Sequence, residues 1–429
     1  MPIAADAITE ARAQGLGPLD YLRQRGYVQD VSDPEGLRRA FAEGVVTAYV
    51  GFDPTAPSLH AGHMLGMMML ASLQRFGHRP IALGGGGTAL VGDPSGKTST
   101  RAIVSEAEIR SNLERILPQF ARYLDFEGGR WGGNPPALLL NNADWLLELR
   151  YIPFLRDIGR YFSVNEMLAA ETYRTRLEST GLNFVEFNYR LVQAYDFLHL
   201  FRTEGCALQM GGSDQWGNIT AGVELIRKAD GGHAFALVCP LLTTASGEKM
   251  GKSEGNSVWL DPELTTPYDF YQYWINVDDA DVVRLLRLYT FLPEKLIVEL
   301  TAATGEGLRE AKRTLAREVT ALAHGQDAVD AAEAASRALF GGAPDADDPN
   351  IPTTEISAGQ AAEMTVADVF VVAGLVASRG EARRKAVEGA LWLDGERVAE
   401  VDEPFRPGAA DALLRFGKKR YRRIRIVFG

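Results

Sequence analysis

The sequence predicts an α/β domain built on a parallel sheet, then an all-α segment, then a small α+β domain. Three observations carry this. Up to about residue 240, short runs of β-branched and apolar residues alternate with stretches of helical period, the pattern of a parallel sheet with crossover helices. From 267 to 340 the period is helical throughout, as at Val282, Leu285, Leu286, Leu288 and Tyr289. A break rich in Pro, Gly and Asp at 341–349 then sets off a compact tail.

In chain order, residues 1–40 read as a helical lead-in anchored by Tyr21, Leu22 and Leu37. Residues 45–52 form the first strand, Asp53-Pro54 ends it, and the run of Met, Leu and Ala from Gly62 to Phe76 is a buried helix. A second strand is expected over 79–91, glycine-rich from Gly84 to Gly87, and a third over 137–141. A charged stretch of mixed helical pattern at 145–183 precedes a helix at 191–200 and a strand at 207–210. In the tail, helix, turn and helix lead into a hairpin at 391–398, where Asp394-Gly395 supplies the turn. Parallel sheets hold ligands at the carboxyl ends of their strands, and the motifs described below fall there.

At 429 residues the chain has room for about three domains. Hydrophobic residues make up 46% and charged residues 24%, which argues against disorder and against a membrane protein. No window reaches the ~18 uninterrupted apolar residues of a membrane span. The N-terminus shows neither a basic n-region nor an apolar h-region, so a cytoplasmic location is expected. Cys206 and Cys239 lack zinc-site spacing and are expected to be buried free thiols. The net charge of −11 argues against a nucleic-acid partner only as an average. Arg415, Lys418, Lys419, Arg420, Arg422, Arg423 and Arg425 make the C-terminus basic, and Arg379, Arg383, Arg384 and Lys385 cluster upstream. Such a local basic face suits a phosphate backbone.

Chemistry concentrates at residues 49–63, Y-V-G-F-D-P-T-A-P-S-L-H-A-G-H. His60 and His63, three apart at a helix start, face one space. There the free N–H groups and the helix dipole favour an anion, and two imidazoles add donors for charge growing on a phosphoryl group. The bland alternative is a pair of capping or core histidines. Downstream, Lys249-Met250-Gly251-Lys252-Ser253 offers two ammonium groups on one loop. Gly92-Asp93-Pro94-Ser95-Gly96-Lys97-Thr98 looks like a Walker A loop, but its leading glycine is one residue too close.

H-A-G-H resembles the H-I-G-H signature of the class I aminoacyl-tRNA synthetases, and K-M-G-K-S resembles their mobile K-M-S-K-S loop, with Gly251 in place of Ser. Y-V-G-F-D-P-T resembles the tyrosyl branch in particular. V-G-D-P-S-G-K at 91–97, N-Y-R-L-V-Q-A-Y-D-F at 188–197 and G-G-S-D-Q-W-G-N-I at 211–219 extend the likeness, and the tail resembles the S4 RNA-binding fold. The resemblance implies a Rossmann-like catalytic domain over 1–240, with a connective insertion around 145–185 that helps form a homodimer. It further implies the lysine loop and an anticodon-side helical domain over 241–340, a linker at 341–362 and an S4-like α+β RNA-binding domain over 363–429.

The activity it implies is formation of tyrosyl-adenylate from L-tyrosine and ATP, with Mg²⁺ accompanying the ATP and no protein metal ligand, then transfer of tyrosine to tRNA(Tyr). No protein nucleophile is needed, so catalysis rests on positioning and on donors aimed at the phosphate. By the same resemblance Thr55, His60, His63, Lys97, Arg101, Lys249 and Lys252 form the phosphate cradle. Asp53, Gly62, Asp214 and Lys252 bind ATP. Asp196, as a carboxylate, accepts the phenol O–H and Tyr49 donates to it, while Asp93, Tyr189, Gln193 and Gln215 surround the ammonium group. On a helix Tyr189, Gln193 and Asp196 share a face. Arg379, Arg383, Arg384, Lys418, Lys419 and Arg420 are the RNA-binding candidates. Val50 stands where the family often has a ribose-contacting Cys, which implies weaker nucleotide affinity. The tryptophanyl branch shares both signatures, but Tyr49 with Asp196 argues against it. A non-catalytic RNA-binding relative would show damaged signatures, and small nucleotidylyltransferases with H-x-G-H lack the helical segment and the tail.

Overall fold

The computed structural model describes residues 6–93, 105–169, 173–174, 177–178, 181–243, 252–253, 256–302, 306–340, 351–406, 411–417 and 420–427. The chain forms two compact units, Met1–Leu264 with Tyr273–Ala323, and Thr265–Gln272 with His324–Gly429. The helical run that the sequence sets apart at 241–340 is therefore shared between them.

In the first unit, β1 (Asp30–Val31), β2 (Thr47–Phe52), β3 (Arg79–Gly84), β4 (Leu138–Asn141), β5 (Cys206–Gly212) and β6 (Phe235–Cys239) form a sheet in the order β1-β6-β5-β2-β3-β4. Strands β2 to β6 run parallel, as the alternation of elements predicts. β1 is an antiparallel edge strand, Asp30 opposite Val238, inside the lead-in that reads as helical. Helices Ala7–Ala13, Pro18–Arg25 and Pro34–Glu43 fill most of that lead-in, and two residues of strand are too few to show a period. The chain passes from β2 outward to β3 and β4, then returns to lay β5 and β6 on the other side of β2. Order reverses between β2 and β5, which opens a ligand crevice at their carboxyl ends.

The second expected strand ends early. β3 stops at Gly84, and Thr88–Val91 is a helical turn. Gly85 makes that turn possible: a Cβ there would stand 2.1 Å from Asp53 Oδ1 and 2.6 Å from Thr88 Oγ1. The helix Met64–Arg75 is apolar on nearly every side, because it packs on β2 and β3 and also on helices Pro18–Arg25 and Val282–Tyr289. A short antiparallel pair, β7 (Lys252–Ser253) with β8 (Asn256–Ser257), holds the end of the lysine motif. Cys206 and Cys239 are buried free thiols. Among the described residues no helix is long and apolar enough to cross a membrane.

In the second unit, β9 (Thr353–Ser357), β10 (Leu391–Leu393), β11 (Glu396–Arg397), β12 (Asp411–Phe416) and β13 (Arg420–Val427) form a sheet in the order β11-β10-β12-β13-β9. β9 pairs parallel with β13, and it occupies part of the expected linker at 341–362 together with the start of the helix Ala358–Glu363. Val369, Phe370, Leu391, Leu414 and Ile424 close the core of this unit. The hairpin turn is where the sequence places it, with φ of 48° at Asp394 and 85° at Gly395.

Buried Arg25 ties the lead-in to the helix Val282–Tyr289. Its guanidinium donates to the carbonyls of Leu286 at 3.2 Å and Arg287 at 2.6 Å in the last turn of the helix, and to those of Thr290 and, at 2.8 Å, Leu292 just beyond it. Arg25→Ala should therefore lower stability by about 3 kcal/mol in urea unfolding, with Arg25→Lys losing less. A loss no larger than that of an exposed arginine would show that the carbonyls find other partners.

Candidate active site

The histidine turn follows β2 and the Asp53-Pro54 break. His60 and His63 stack with ring centroids 3.9 Å apart and planes 28° from parallel. His60 Nδ1 accepts the Gly62 N–H at 3.0 Å, and His63 Nδ1 accepts the His60 N–H at 3.1 Å. A ring whose Nδ1 accepts carries its proton on Nε2 when neutral, so the backbone fixes both tautomers. Burial, and then the neighbouring His60, push His63 down to about 3. His63 is therefore a neutral Nε2–H donor at physiological pH. His63 also sits at the N-cap of the helix Met64–Arg75 with no side chain capping it, at the end where the helix dipole favours an anion.

Beside this turn, strands β2 and β5 place Tyr49 directly opposite Gln209. The helix Phe184–Glu204 starts with a capping box between Asn183 and Glu186 and supplies Tyr189, Gln193 and Asp196. Asp196 is buried, and both of its carboxylate oxygens accept hydrogen bonds, from Asn142 Nδ2 at 2.8 Å and Trp145 Nε1 at 2.7 Å. Burial raises Asp196 to about 8; the Asn142 and Trp145 donors pull against the rise and Asp53 adds to it. Tyr49 is raised in turn, first by burial and then by Asp196. The Tyr49 hydroxyl, Gln193 Oε1 and Gln209 Oε1 are buried without a hydrogen-bond partner. Unpaired buried polar atoms are costly. Tyr49 feels the charge of Asp196 and stands opposite Gln209, and Gln193 lies one helical turn before Asp196, so the four make one buried polar slot.

A relay joins this slot to Asp53. Asn142 Nδ2 also donates to Thr88 Oγ1 at 3.0 Å, and Thr88 Oγ1 donates to Asp53 Oδ1 at 2.8 Å. The Tyr189 hydroxyl reaches Asp53 Oδ2 at 3.4 Å. At the end of β5, Gln215 Nε2 donates to Asp93 Oδ2 at 2.6 Å and lies 3.5 Å from Asp214 Oδ2. The structure thus brings Tyr49, Asp53, His60, Gly62, His63, Asp93, Tyr189, Gln193, Asp196, Asp214 and Gln215 to the carboxyl ends of the central strands. Thr55 is exposed on the same turn, its N–H bonded to the Asp53 carbonyl at 2.8 Å. Lys252 pairs opposite Ser257, whereas Lys97, Arg101 and Lys249 lie outside the described residues. Thr88, Asn142, Trp145 and Gln209 escaped the sequence reading. The N-N-A-D-W run following a strand was the available signal for two of them.

In the second unit Arg379 is ion-paired with Asp368, and Arg383 with Asp402 at 2.8 Å. Arg384 is exposed, Arg420 donates to the Gly374 carbonyl at 3.3 Å, and Lys418 and Lys419 lie outside the described residues.

A parallel sheet with stacked histidines at its reversal point, and a buried acid slot beside them, defines an enzyme of the class I synthetase type. The chain belongs to the class I tRNA synthetases of the W and Y group, whose family model matches residues 42–341. A model of the tyrosine–tRNA ligase SYY-like C-terminal domain matches 346–424. A tyrosine–tRNA ligase of Desulfosudis oleivorans is 48% identical, covering 96% of this chain and 100% of the relative. One from Clostridium beijerinckii is 47% identical, covering 95% and 99%. The crystal structure of a C-terminally truncated mitochondrial tyrosyl-tRNA synthetase of Aspergillus nidulans superposes with a TM-score of 0.69 at 32% identity, covering 78% of this chain and 97% of that one.

The raised pKa of Asp196 has a definite sign. The protonated form prevails below about pH 8, and a ligand hydroxyl that donates to the carboxylate must displace that proton. Affinity for a phenol-bearing ligand should therefore rise with pH up to about 8 and then level off, measured by equilibrium binding, and Asp196→Asn should abolish the rise. A flat profile in the unsubstituted protein would mean that Asp196 is already ionised. His63 has the opposite sense, and its neutral burial should cost stability as pH falls from roughly 6.5 toward 3.

Proposed function

We infer that the protein ligates L-tyrosine to tRNA(Tyr) in two steps. The tyrosine carboxylate first attacks the α-phosphorus of ATP, forming the carboxyl–phosphate bond and breaking the bond to pyrophosphate. The tyrosyl group then passes to the 3′-terminal ribose of the tRNA. The observation that carries this reading is the buried slot of Asp196, Tyr49, Gln193 and Gln209 on the strand pair whose β2 leads into two tautomer-fixed histidines. A phenol donates its one O–H to Asp196 and accepts from Tyr49, while the substrate ammonium supplies donors for the Gln193 amide oxygen; the carboxylate end is then left for the phosphate donors. The tryptophanyl alternative offers the same slot an indole N–H, which cannot also accept from Tyr49.

Roles follow from chemistry. His60 and His63 donate Nε2–H to the α-phosphate as charge develops there, without transferring a proton. Thr55, Lys97, Arg101, Lys249 and Lys252 serve the remaining phosphate oxygens and the leaving pyrophosphate. Asp53 and Asp214 hold the ribose side with Gly62, and Asp93, Tyr189, Gln193 and Gln215 hold the tyrosine ammonium. Mg²⁺ enters with the triphosphate, and we assign it no protein ligand.

Residues 1–240 serve as the catalytic domain, 241–340 as lysine loop and anticodon-side helices, and 363–429 as the RNA-binding domain, to which β9 adds a strand. Arg379, Arg383, Arg384, Lys418, Lys419 and Arg420 contact the tRNA backbone. The protein acts as a homodimer: Leu147, Tyr151, Ile152, Val164, Phe184 and Val185, all in or next to the 145–185 insertion, are exposed apolar side chains suited to a second copy. It works in the cytoplasm, where tRNA is charged.

Exchange of pyrophosphate into ATP should depend on tyrosine and not on tryptophan; the reverse preference would overturn the assignment. Lys252→Ala should lower the activation rate about a hundredfold or more while leaving tyrosine binding nearly intact, because its contacts belong to the transition state. Comparable losses in both would contradict that role. A chain ending at Phe340 should still form adenylate and fail to charge tRNA; undiminished charging would remove the tail from tRNA binding.

A further inference from the structure

We propose that Arg115 and Gln119, on the helix Glu106–Phe120, are positioning residues for amino-acid activation: they hold the segment that leaves the lysine motif in register with the histidine turn. The proposal rests on the function inferred above.

The histidine turn is paired with the chain just beyond the lysine motif. Leu59, His60 and Ala61 form an antiparallel bridge with Val258, Trp259 and Leu260: the Ala61 N–H donates to the Val258 carbonyl, and the Leu260 N–H to the Leu59 carbonyl, both at 2.8 Å. The Trp259 ring lies 6.0 Å from that of His60. The backbone of His60 is therefore fixed from two sides, by this bridge and by its N–H bond to His63 Nδ1.

One helix clamps both halves of the bridge. Gln119 Oε1 accepts the Leu59 N–H at 3.1 Å, and its Nε2 donates to Ser58 Oγ at 3.2 Å. The buried Ser58 hydroxyl also accepts the Asp261 N–H at 3.0 Å, so Gln119 reaches both strands through it. One helical turn earlier, Arg115 donates to Asp261 Oδ2 at 2.7 Å and to Glu263 Oε2 at 3.2 Å. Neither Arg115 nor Gln119 belongs to the phosphate or tyrosine sites. Among the described residues their hydrogen bonds end on the histidine turn, on the segment beyond the lysine motif and on the backbone of their own helix.

A clamp of this kind acts on geometry. If it is loosened, His60 and the lysine segment drift relative to one another, and donors aimed at a transition state are more sensitive to such drift than contacts that hold the ground state. Arg115 is exposed, so its replacement leaves the core intact.

The test is steady-state pyrophosphate exchange with the full-length protein, with tyrosine binding and melting temperature measured alongside. Arg115→Ala and Gln119→Ala should each lower kcat about tenfold with little change in KM for tyrosine, and Arg115→Lys should recover part of the loss. Because Arg115 acts through Asp261, adding Asp261→Ala to Arg115→Ala should cost little more than Arg115→Ala alone. Full kcat in both alanine variants, an equal loss in tyrosine affinity, or additive losses in the Arg115–Asp261 pair would each overturn the proposal. Wild-type protein without tyrosine-dependent exchange overturns the functional reading and this one with it, whereas active wild type with unaffected variants overturns this one alone.

Discussion

Parallel pairing of β2 with β5 is the constraint on which the site depends. These strands are distant in sequence, and their register sets Tyr49 against Gln209 at the point where sheet order reverses. From there the end of β2 leads into Asp53 and the histidine turn, and the end of β5 leads into Asp214 and Gln215. A shift of one residue between the two strands would turn Tyr49 to the opposite face of the sheet. The slot would lose its hydroxyl, and the buried acid would face an apolar wall.

Around that pairing the hydrogen bonds of the buried polar groups set their charge and proton positions. Asp196 has donors on both oxygens yet is raised by burial, so it is held near the point where a hydroxyl ligand decides its charge. His60 and His63 are treated in the reverse way, their Nδ1 atoms accepting backbone N–H groups so that each ring carries its proton on Nε2. The relay through Asn142 and Thr88 connects the acid of the slot to Asp53 without an intervening water. Gly85 allows that relay to exist, since any side chain at this position would meet Asp53 and Thr88.

The main lines of this arrangement were legible in the sequence, where a strong local signal coincided with the fold. The histidine turn, the parallel alternation and the Asp394-Gly395 hairpin are local, and each carries its own chemistry in adjacent residues. What was missed is of two kinds. β1 and β9 are short strands defined by their partners β6 and β13 rather than by their own period, so a linker and a helical lead-in were the natural readings. Gln209, Asn142 and Trp145 acquire their roles only from what the sheet and the helix Phe184–Glu204 place opposite them. Trp145 in particular stacks on His199 at 4.3 Å while donating to Asp196, a dual contact that spacing does not encode. The extension of the strand past Gly84 failed for a different reason: Gly85, Gly86 and Gly87 are small because the backbone passes closely by Asp53, Asn141 and Leu146, not because they are paired.

Diffraction from crystals of the protein with a non-hydrolysable tyrosyl-adenylate analogue tests the central claim most directly. The phenol oxygen should lie within hydrogen-bond distance of both Asp196 and the Tyr49 hydroxyl, with the phosphate against Nε2 of His60 and His63. An analogue bound with its ring outside that slot, or with its phosphate away from the stacked imidazoles, would contradict it.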